Sequence, residues 1–307
     1  MHIVDVSGVH KNYGSTKALD DISFDVNYGE IFGFIGPDGA GKTTLFRILT
    51  TLLIPDKGNA LVLGNDVVKD YKKIRERVGY MAGRFSLYQD LTVEENLKFY
   101  ATIFGTTIEE NYDLIKEIYV QIEPFKKRRA GKLSGGMKQK LALSCALIHK
   151  PDLLILDEPT TGVDPVSRNE FWDMLMNLKE QGITILVSTP YMNEAALCDR
   201  VALIQNGMTL SIDTPENITN RFTKIIVGIK SKNMYDLLLT LQKYKYTHSV
   251  QPFGEYLHYT DKREKPNLEE LKDYLTKNGH TSSEIITAPP DIEDCFMELM
   301  EEKEHVN

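Results

Sequence analysis

Residues Gly36 to Thr43 read Gly-Pro-Asp-Gly-Ala-Gly-Lys-Thr and match the pattern GxxxxGK[ST]. What precedes and follows the match gives it force. Ile31 to Ile35 is a continuous apolar run, the pattern of a buried parallel strand, and Thr43 to Leu53 has helical character up to the stop at Pro55. Strand, glycine-rich loop and helix in that order place bare backbone N–H groups at the positive end of a helix, where phosphate oxygens bind. Gly36, Pro37, Asp38, Gly39, Ala40 and Gly41 would form the cradle. Lys42 would neutralise phosphate charge, Thr43 would offer its hydroxyl to Mg²⁺, and Thr44 would add its place in the first helical turn. The pattern arises by chance in roughly one chain of this size in a hundred.

The rest of the chain is read around that unit. Ile3 to Val9 and Ile22 to Val26 predict strands of a half-exposed antiparallel sheet, with a turn at Asn12-Tyr13-Gly14. Between about residues 88 and 150 the apolar spacing turns helical, over Val93 to Tyr100, Tyr112 to Ile122 and Met137 to Ile148. Two more buried strands, Leu153 to Leu156 and Ile183 to Val187, flank a helix through Phe171, Trp172, Leu175 and Leu178. The fold class expected is α/β: a mixed sheet core, an antiparallel β subdomain and a helical subdomain within residues 1–222.

Residues 223–307 carry their own order of elements. Strand is expected over Lys224 to Ile229, helix over Met234 to Tyr244, then strands Tyr246 to Gln251 and Tyr256 to Tyr259. Helix Leu268 to Asn278, strand Glu284 to Thr287 and helix Ile292 to Glu301 follow. This βαββαβ order predicts a small ferredoxin-like α+β domain.

Two further stretches carry chemistry. Leu153 to Leu156 ends in Asp157-Glu158, which suits Mg²⁺ binding by Asp157 and activation of a water by Glu158, or equally an acidic turn before Pro159. Leu133-Ser134-Gly135-Gly136-Met137-Lys138-Gln139 places two glycines and a serine directly before a helix, a second anion-binding surface. Its position between the phosphate loop and the Asp157-Glu158 strand decides between the readings of that strand.

In this order the motifs resemble the ATP-binding subunits of ATP-binding cassette (ABC) transporters, over residues 1–222. The resemblance implies that ATP and Mg²⁺ are bound and that Glu158 is catalytic, with Thr43 and Asp157 as the Mg²⁺ ligands. It casts Tyr13 as the aromatic stacked on adenine, Ser134, Gly135, Gly136 and Gln139 as the signature that meets a partner's nucleotide, and Asp164 as the aspartate that communicates across a dimer. A second cassette, identical or different, and an integral membrane permease are the implied partners. Pro289 to Met300, Phe85 to Tyr88 and Thr160 to Arg168 are similar to ATPases of ABC-2-type exporters of drugs, lipids or polysaccharides, especially one half of the tandem two-ATPase multidrug exporters. The tail is expected to regulate or to stabilise the dimer.

The family pattern is broken twice. The glutamine that contacts Mg²⁺ aligns with Gly83, Gln89 being a possible substitute six residues on, and the histidine that reaches the γ-phosphate aligns with Pro190, which has neither a side-chain donor nor an N–H. These departures suggest a degenerate site with slow hydrolysis, or a latch that binds ATP with negligible turnover, the alternative being that other residues compensate and turnover is ordinary.

Composition narrows the setting. A net charge of -8 disfavours nucleic acid as a partner, and the basic run Lys126 to Arg129 reads as a solvated loop or helix end. A chromosomal or DNA-repair ABC ATPase would need a long coiled-coil insertion or a basic face, and neither is present. The three cysteines are widely spaced, which fits reduced thiols. No apolar run approaches the roughly 20 residues of a membrane helix, and the N-terminus lacks a signal-peptide pattern. The expected location is therefore cytoplasmic, peripheral on the inner face of the membrane through the permease.

Overall fold

The computed structural model describes residues 2–304, and the side chains through Met300; Met1 and residues 305–307, at the outer ends of the two expected domains, lie outside it. The long strands β1 (His2–Tyr13) and β2 (Thr16–Asn27) form a hairpin, and β3 (Ile31–Ile35) leads through the glycine-rich loop into α1 (Lys42–Leu49). Next come β4 (Lys57–Val62), β5 (Asn65–Asp66), α2 (Tyr71–Arg75) and β6 (Val78–Met81). The helical stretch holds α3 (Val93–Ile103), α4 (Tyr112–Tyr119) and α5 (Gly135–Leu147). It is followed by β7 (Leu153–Asp157), α6 (Pro165–Glu180), β8 (Thr184–Thr189), β9 (Arg200–Gln205), β10 (Met208–Asp213) and α7 (Pro215–Asn220).

The central sheet runs β10-β9-β3-β8-β7-β6, with β9 to β6 parallel and β10 antiparallel at the edge. β3, β7 and β8 are buried at every position, which is why each carries a continuous apolar stretch at its centre. β2-β1-β4-β5 is the antiparallel sheet, and its partial burial gives the alternation seen in the sequence. An aromatic cluster locks the phosphate-loop unit: Phe34 of β3 meets Phe24 of β2 at 4.8 Å and Phe46 of α1 at 5.5 Å, both edge to face.

Several boundaries differ from the sequence reading for physical reasons. α1 stops at Leu49 rather than Leu53, because Thr51 adopts a left-handed φ of 63°. The hairpin turn falls at Gly14-Ser15, with Tyr13 paired to Thr16, so Tyr13 ends a strand. β4, rich in Lys, Gly and Asn at its start, was not expected, and neither were β5, β9 and β10. α3 is fixed at its start by a capping box between Thr92 and Glu95.

By its internal contacts the chain divides into residues 1–215 together with the segment beginning at Leu299, and residues Glu216–Glu298. The second unit contains β11 (Ile226–Lys230), α8 (Met234–Gln242), β12 (Thr247–Phe253), β13 (Tyr256–Asp261), α9 (Leu268–Lys277) and β14 (Glu284–Ala288), and α10 (Ile292–Glu304) begins in it. Its sheet order, β12-β13-β11-β14, is antiparallel throughout and ferredoxin-like. Leu237, Leu241, Leu271 and Leu275 of α8 and α9 join Val227, Leu257 and Tyr259 of the sheet in one core. The start of α10 is tied to β13 by His258 Nδ1 and Asp294 Oδ1 at 2.9 Å, both largely buried.

Candidate nucleotide-binding site

The loop from Gly36 to Gly41 is built by close backbone approach. A Cβ at Gly36 would lie 2.1 Å from the Ile204 carbonyl oxygen of β9, and Gly41, at φ 105°, would place one 2.4 Å from the Ala18 carbonyl oxygen of β2. Both positions need glycine. Gly41 caps α1 without a side-chain acceptor, and among the described residues no hydrogen-bond acceptor is found for the N–H groups of Gly39, Gly41, Lys42, Thr43 and Thr44. Five donors converging at a helix N-terminus suit a polyphosphate. Asp38 and Gly39 are exposed on the rim, and Ala40 is buried beneath it.

Lys42 is 3% exposed and its Nζ donates to the carbonyl oxygens of Gly36 (2.7 Å) and Pro37 (3.0 Å) while pairing with Glu158 Oε1 at 3.2 Å. The loop, the lysine and the carboxylate therefore converge although they are far apart in sequence. Thr43 Oγ1 donates to Asp157 Oδ1 at 3.1 Å, so a hydroxyl and a carboxylate stand together as hard oxygen ligands. That pair fits Mg²⁺, which takes one or two protein oxygens and completes its shell with water and phosphate. Glu158 sits at φ 50°, a conformation that non-glycine residues rarely hold, and its N–H donates to Ser188 O (3.1 Å) and Ser188 Oγ (3.0 Å). Ser188 Oγ also donates to Asp157 Oδ1 at 2.8 Å.

Ser188 was missed by sequence reasoning as a site residue. Its signal is a serine directly after the apolar run Ile185 to Val187 in the fully buried strand β8, parallel to and paired with the strand that ends in Asp157. Burial of Asp157 at 2% exposure would be costly without these two hydroxyl donors. Tyr80, half-buried on β6, has its hydroxyl pushed up to about 12 by burial and by the Asp157 charge.

The remaining candidates fall around this core. Tyr13, 48% exposed, lies at the tip of the hairpin whose β2 strand brings Ala18 against Gly41. Ser134 caps α5, its Oγ accepting from Met137 N at 3.3 Å, and Ser134 and Gly135 are exposed. Gln139 lies one turn further along α5 and lines an apolar groove, apart from Ser134. Asp164 caps α6 by accepting from Ser167 N at 3.0 Å, and that bond holds its carboxyl below the usual range.

Gly83 lies against the core of the site: a Cβ there would be 3.0 Å from Asp157 O and 3.5 Å from Asp157 Oδ2. Gln89 is exposed and packs beside Gly131 rather than beside Asp157. Pro190 directly follows Thr189, whose carbonyl accepts from Gly36 N at 3.3 Å. Gly83 thus borders Asp157, and Pro190 follows the residue that bonds β8 to the phosphate loop.

The family model described as ABC transporter matches residues 19–161. The Nod factor export ATP-binding protein I of Rhizobium sp. (strain N33) is 34% identical over 301 residues, covering 96% of each chain. This chain belongs to the ABC transporter family. The "Probable multidrug ABC transporter ATP-binding protein YbhF" of Escherichia coli (strain K12) is 41% identical over 218 residues, 70% of this chain; the chain spans 38% of that relative's length. The doxorubicin resistance ATP-binding protein DrrA of Mycobacterium tuberculosis (strain CDC 1551 / Oshkosh) is 38% identical over 237 residues, 76% of this chain and 72% of its own. Among solved structures, the dimeric post-hydrolysis state of the cassette MJ0796 bound to ADP and Pi superposes with a TM-score of 0.62 at 25% identity, covering 69% of this chain and 98% of that one. The ABC cassette fold, with its P-loop, thus accounts for the first unit.

A second feature of the cassette is a cavity of about 350 Å³ whose lining includes Tyr80, Met81, Phe85, Tyr100, Phe104 and His149. His149 stacks on Phe104 with ring centroids 3.8 Å apart, and burial holds its imidazole below its ordinary value. Among the described residues no helix is long and apolar enough to cross a membrane.

Proposed function

We propose that the chain binds ATP with Mg²⁺ and powers export through a separate membrane permease, as one of two cassettes that sandwich nucleotide, and that its own site hydrolyses slowly. The observation that carries the nucleotide reading is the convergence of five free N–H groups, Lys42, Thr43, Asp157 and Glu158. In this reading the loop and Lys42 hold the β- and γ-phosphates, Tyr13 stacks on the base, and Glu158 orients or deprotonates the attacking water. Thr43 and Asp157 hold Mg²⁺, which when bound supplies charge neutralisation across the phosphates. The exposed Ser134 and Gly135 would meet a partner's nucleotide, and Asp164 would lie at the shared seam. Export is supported by the Nod factor export relative. The apolar groove beside Phe85 and Phe104 offers a surface for a permease segment at the inner face of the membrane.

Slow turnover rests on Gly83 and Pro190, which leave Asp157 and the end of β8 without side-chain donors at positions where the family carries glutamine and histidine. A latch with negligible hydrolysis is the second reading, favoured by the same two residues and opposed by the retained Glu158. Either reading leaves the signature free to complete a competent site on a partner. Residues 223–307 are proposed as a separate accessory domain.

The test is equilibrium binding of a fluorescent ATP analogue with steady-state hydrolysis of the purified chain, beside Glu158→Gln. Binding with low, Glu158-dependent hydrolysis supports the proposal; binding with no hydrolysis above that of Glu158→Gln points to the latch. Absence of binding would sink both.

A further inference from the structure

Glu194 is an almost fully buried acid, at 1% exposure, in a 3-10 helix over Met192–Leu197 that follows Pro190. Its Oε1 accepts from Thr160 Oγ1 at 2.8 Å, and Thr160, itself buried, is two residues beyond Glu158. Oε1 also lies 3.7 Å from Arg168 Nε, on the first turn of α6, and the Arg168 guanidinium stacks over the Tyr191 ring at 3.9 Å. Arg168 Nε and Glu194 Oε2 are both buried without a hydrogen-bond partner.

A buried carboxylate with an empty acceptor position is costly, and its retention calls for a reason. Arg168 Nε stands 3.7 Å from Oε1 of this carboxylate, less than an ångström more than a charge-assisted hydrogen bond spans. A small slide of α6 toward the 3-10 helix would close that bond. α6 is also where the signature rests: a Cβ on Gly136 would lie 2.8 Å from Ser167 Oγ, the residue before Arg168, and Lys140 of α5 pairs with Glu170 of α6 at 2.7 Å. Glu194 therefore stands between the loop that carries Glu158 and the helix that supports Ser134 to Gly136.

We propose that Glu194 is a positioning residue: through Thr160 and Arg168 it holds the Glu158–Asp164 loop to α6, and so ties the catalytic carboxylate of one half-site to the signature that serves the other. This rests on the reading of the chain as an ATP-hydrolysing cassette. Ser188 holds the start of the loop and the Asp164 cap its end, while within it the bonds are Thr161 N to Glu158 O and Val163 N to Thr160 O, both 3.2 Å, and Thr161 Oγ1 to Glu158 Oε2 at 3.4 Å. A misplacement of about 1 Å at a reacting group can cost on the order of 100-fold in rate.

The test uses the full chain with Glu194→Ala, Glu194→Gln and Thr160→Val, read by ATP affinity, kcat and hydrogen exchange resolved over residues 153–168. Glu194→Ala is expected to lower kcat by roughly 10- to 100-fold with ATP affinity within about twofold. Exchange should speed at Thr161 and Val163 and stay unchanged in Leu153–Asp157. Glu194→Gln, which keeps an acceptor for Thr160, should recover the protection of the loop. Should Glu194→Ala fail to fold, Thr160→Val, which removes only the hydroxyl, is expected to reproduce the split. Unchanged kcat and loop exchange in both variants would overturn the proposal, as would faster exchange throughout the unit, which marks a merely structural acid. A wild-type chain that fails to bind ATP would instead overturn the nucleotide reading on which the proposal rests.

Discussion

The two walls of the nucleotide site are built to different standards. On the phosphate-loop side each feature is present: bare N–H groups at a helix start, a buried lysine held by two carbonyls, and a threonine bonded to the strand-end aspartate. On the opposite side, where the attacking water would stand, Glu158 is present, but a glycine at 83 lies against Asp157 and a proline at 190 follows the end of β8. Binding needs only the first wall. Turnover needs both, so a chain that keeps one and thins the other is expected to hold nucleotide longer than it hydrolyses it.

Each wall can be weakened separately. Glu158→Gln is expected to give the largest effect, lowering residual hydrolysis by about 10²- to 10⁴-fold with ATP affinity little changed, measured by phosphate release under saturating ATP. On the binding wall, Lys42→Ala removes a charged donor to phosphate and should weaken ATP affinity by roughly 10- to 100-fold, read from nucleotide-dependent thermal stabilisation. Ser188→Ala belongs to both walls, because one hydroxyl serves Asp157 Oδ1 and the Glu158 N–H. It is expected to lower kcat about tenfold and to cost about 1 kcal/mol of stability in a denaturant titration. The smallest change should come from Tyr13→Ala, which would weaken ATP binding by less than about tenfold, the worth of one aromatic contact, and leave kcat unaltered.

The loop, the strand-end acids and the signature were legible because each is a short stretch whose chemistry and local structure coincide. The ferredoxin-like order of the second unit was also legible, since its elements alternate cleanly between period 2 and helical spacing. What escaped was carried by pairing across distance. β4 begins Lys-Gly-Asn and becomes a strand only because β1 offers it an edge. Ser188 and Glu194 each lie some thirty residues from Asp157, Glu158 and Thr160, so their roles arise from the parallel register of β7 and β8 and from the buried turn after it. Gly83 was identified by alignment with a pattern, but its closeness to Asp157 is a property of the folded loop. That closeness has a cost: any side chain restored there must push the Asp157 carbonyl aside by a few tenths of an ångström.

The most direct measurement is the steady-state ATPase rate of the double variant Gly83→Gln, Pro190→His against the wild-type chain at equal nucleotide occupancy. At least a tenfold rise in kcat with ATP affinity unchanged is expected, abolished again by Glu158→Gln in the same background. A wild-type rate that the double variant fails to raise, in a protein that remains folded and still binds ATP, would contradict slow hydrolysis caused by Gly83 and Pro190.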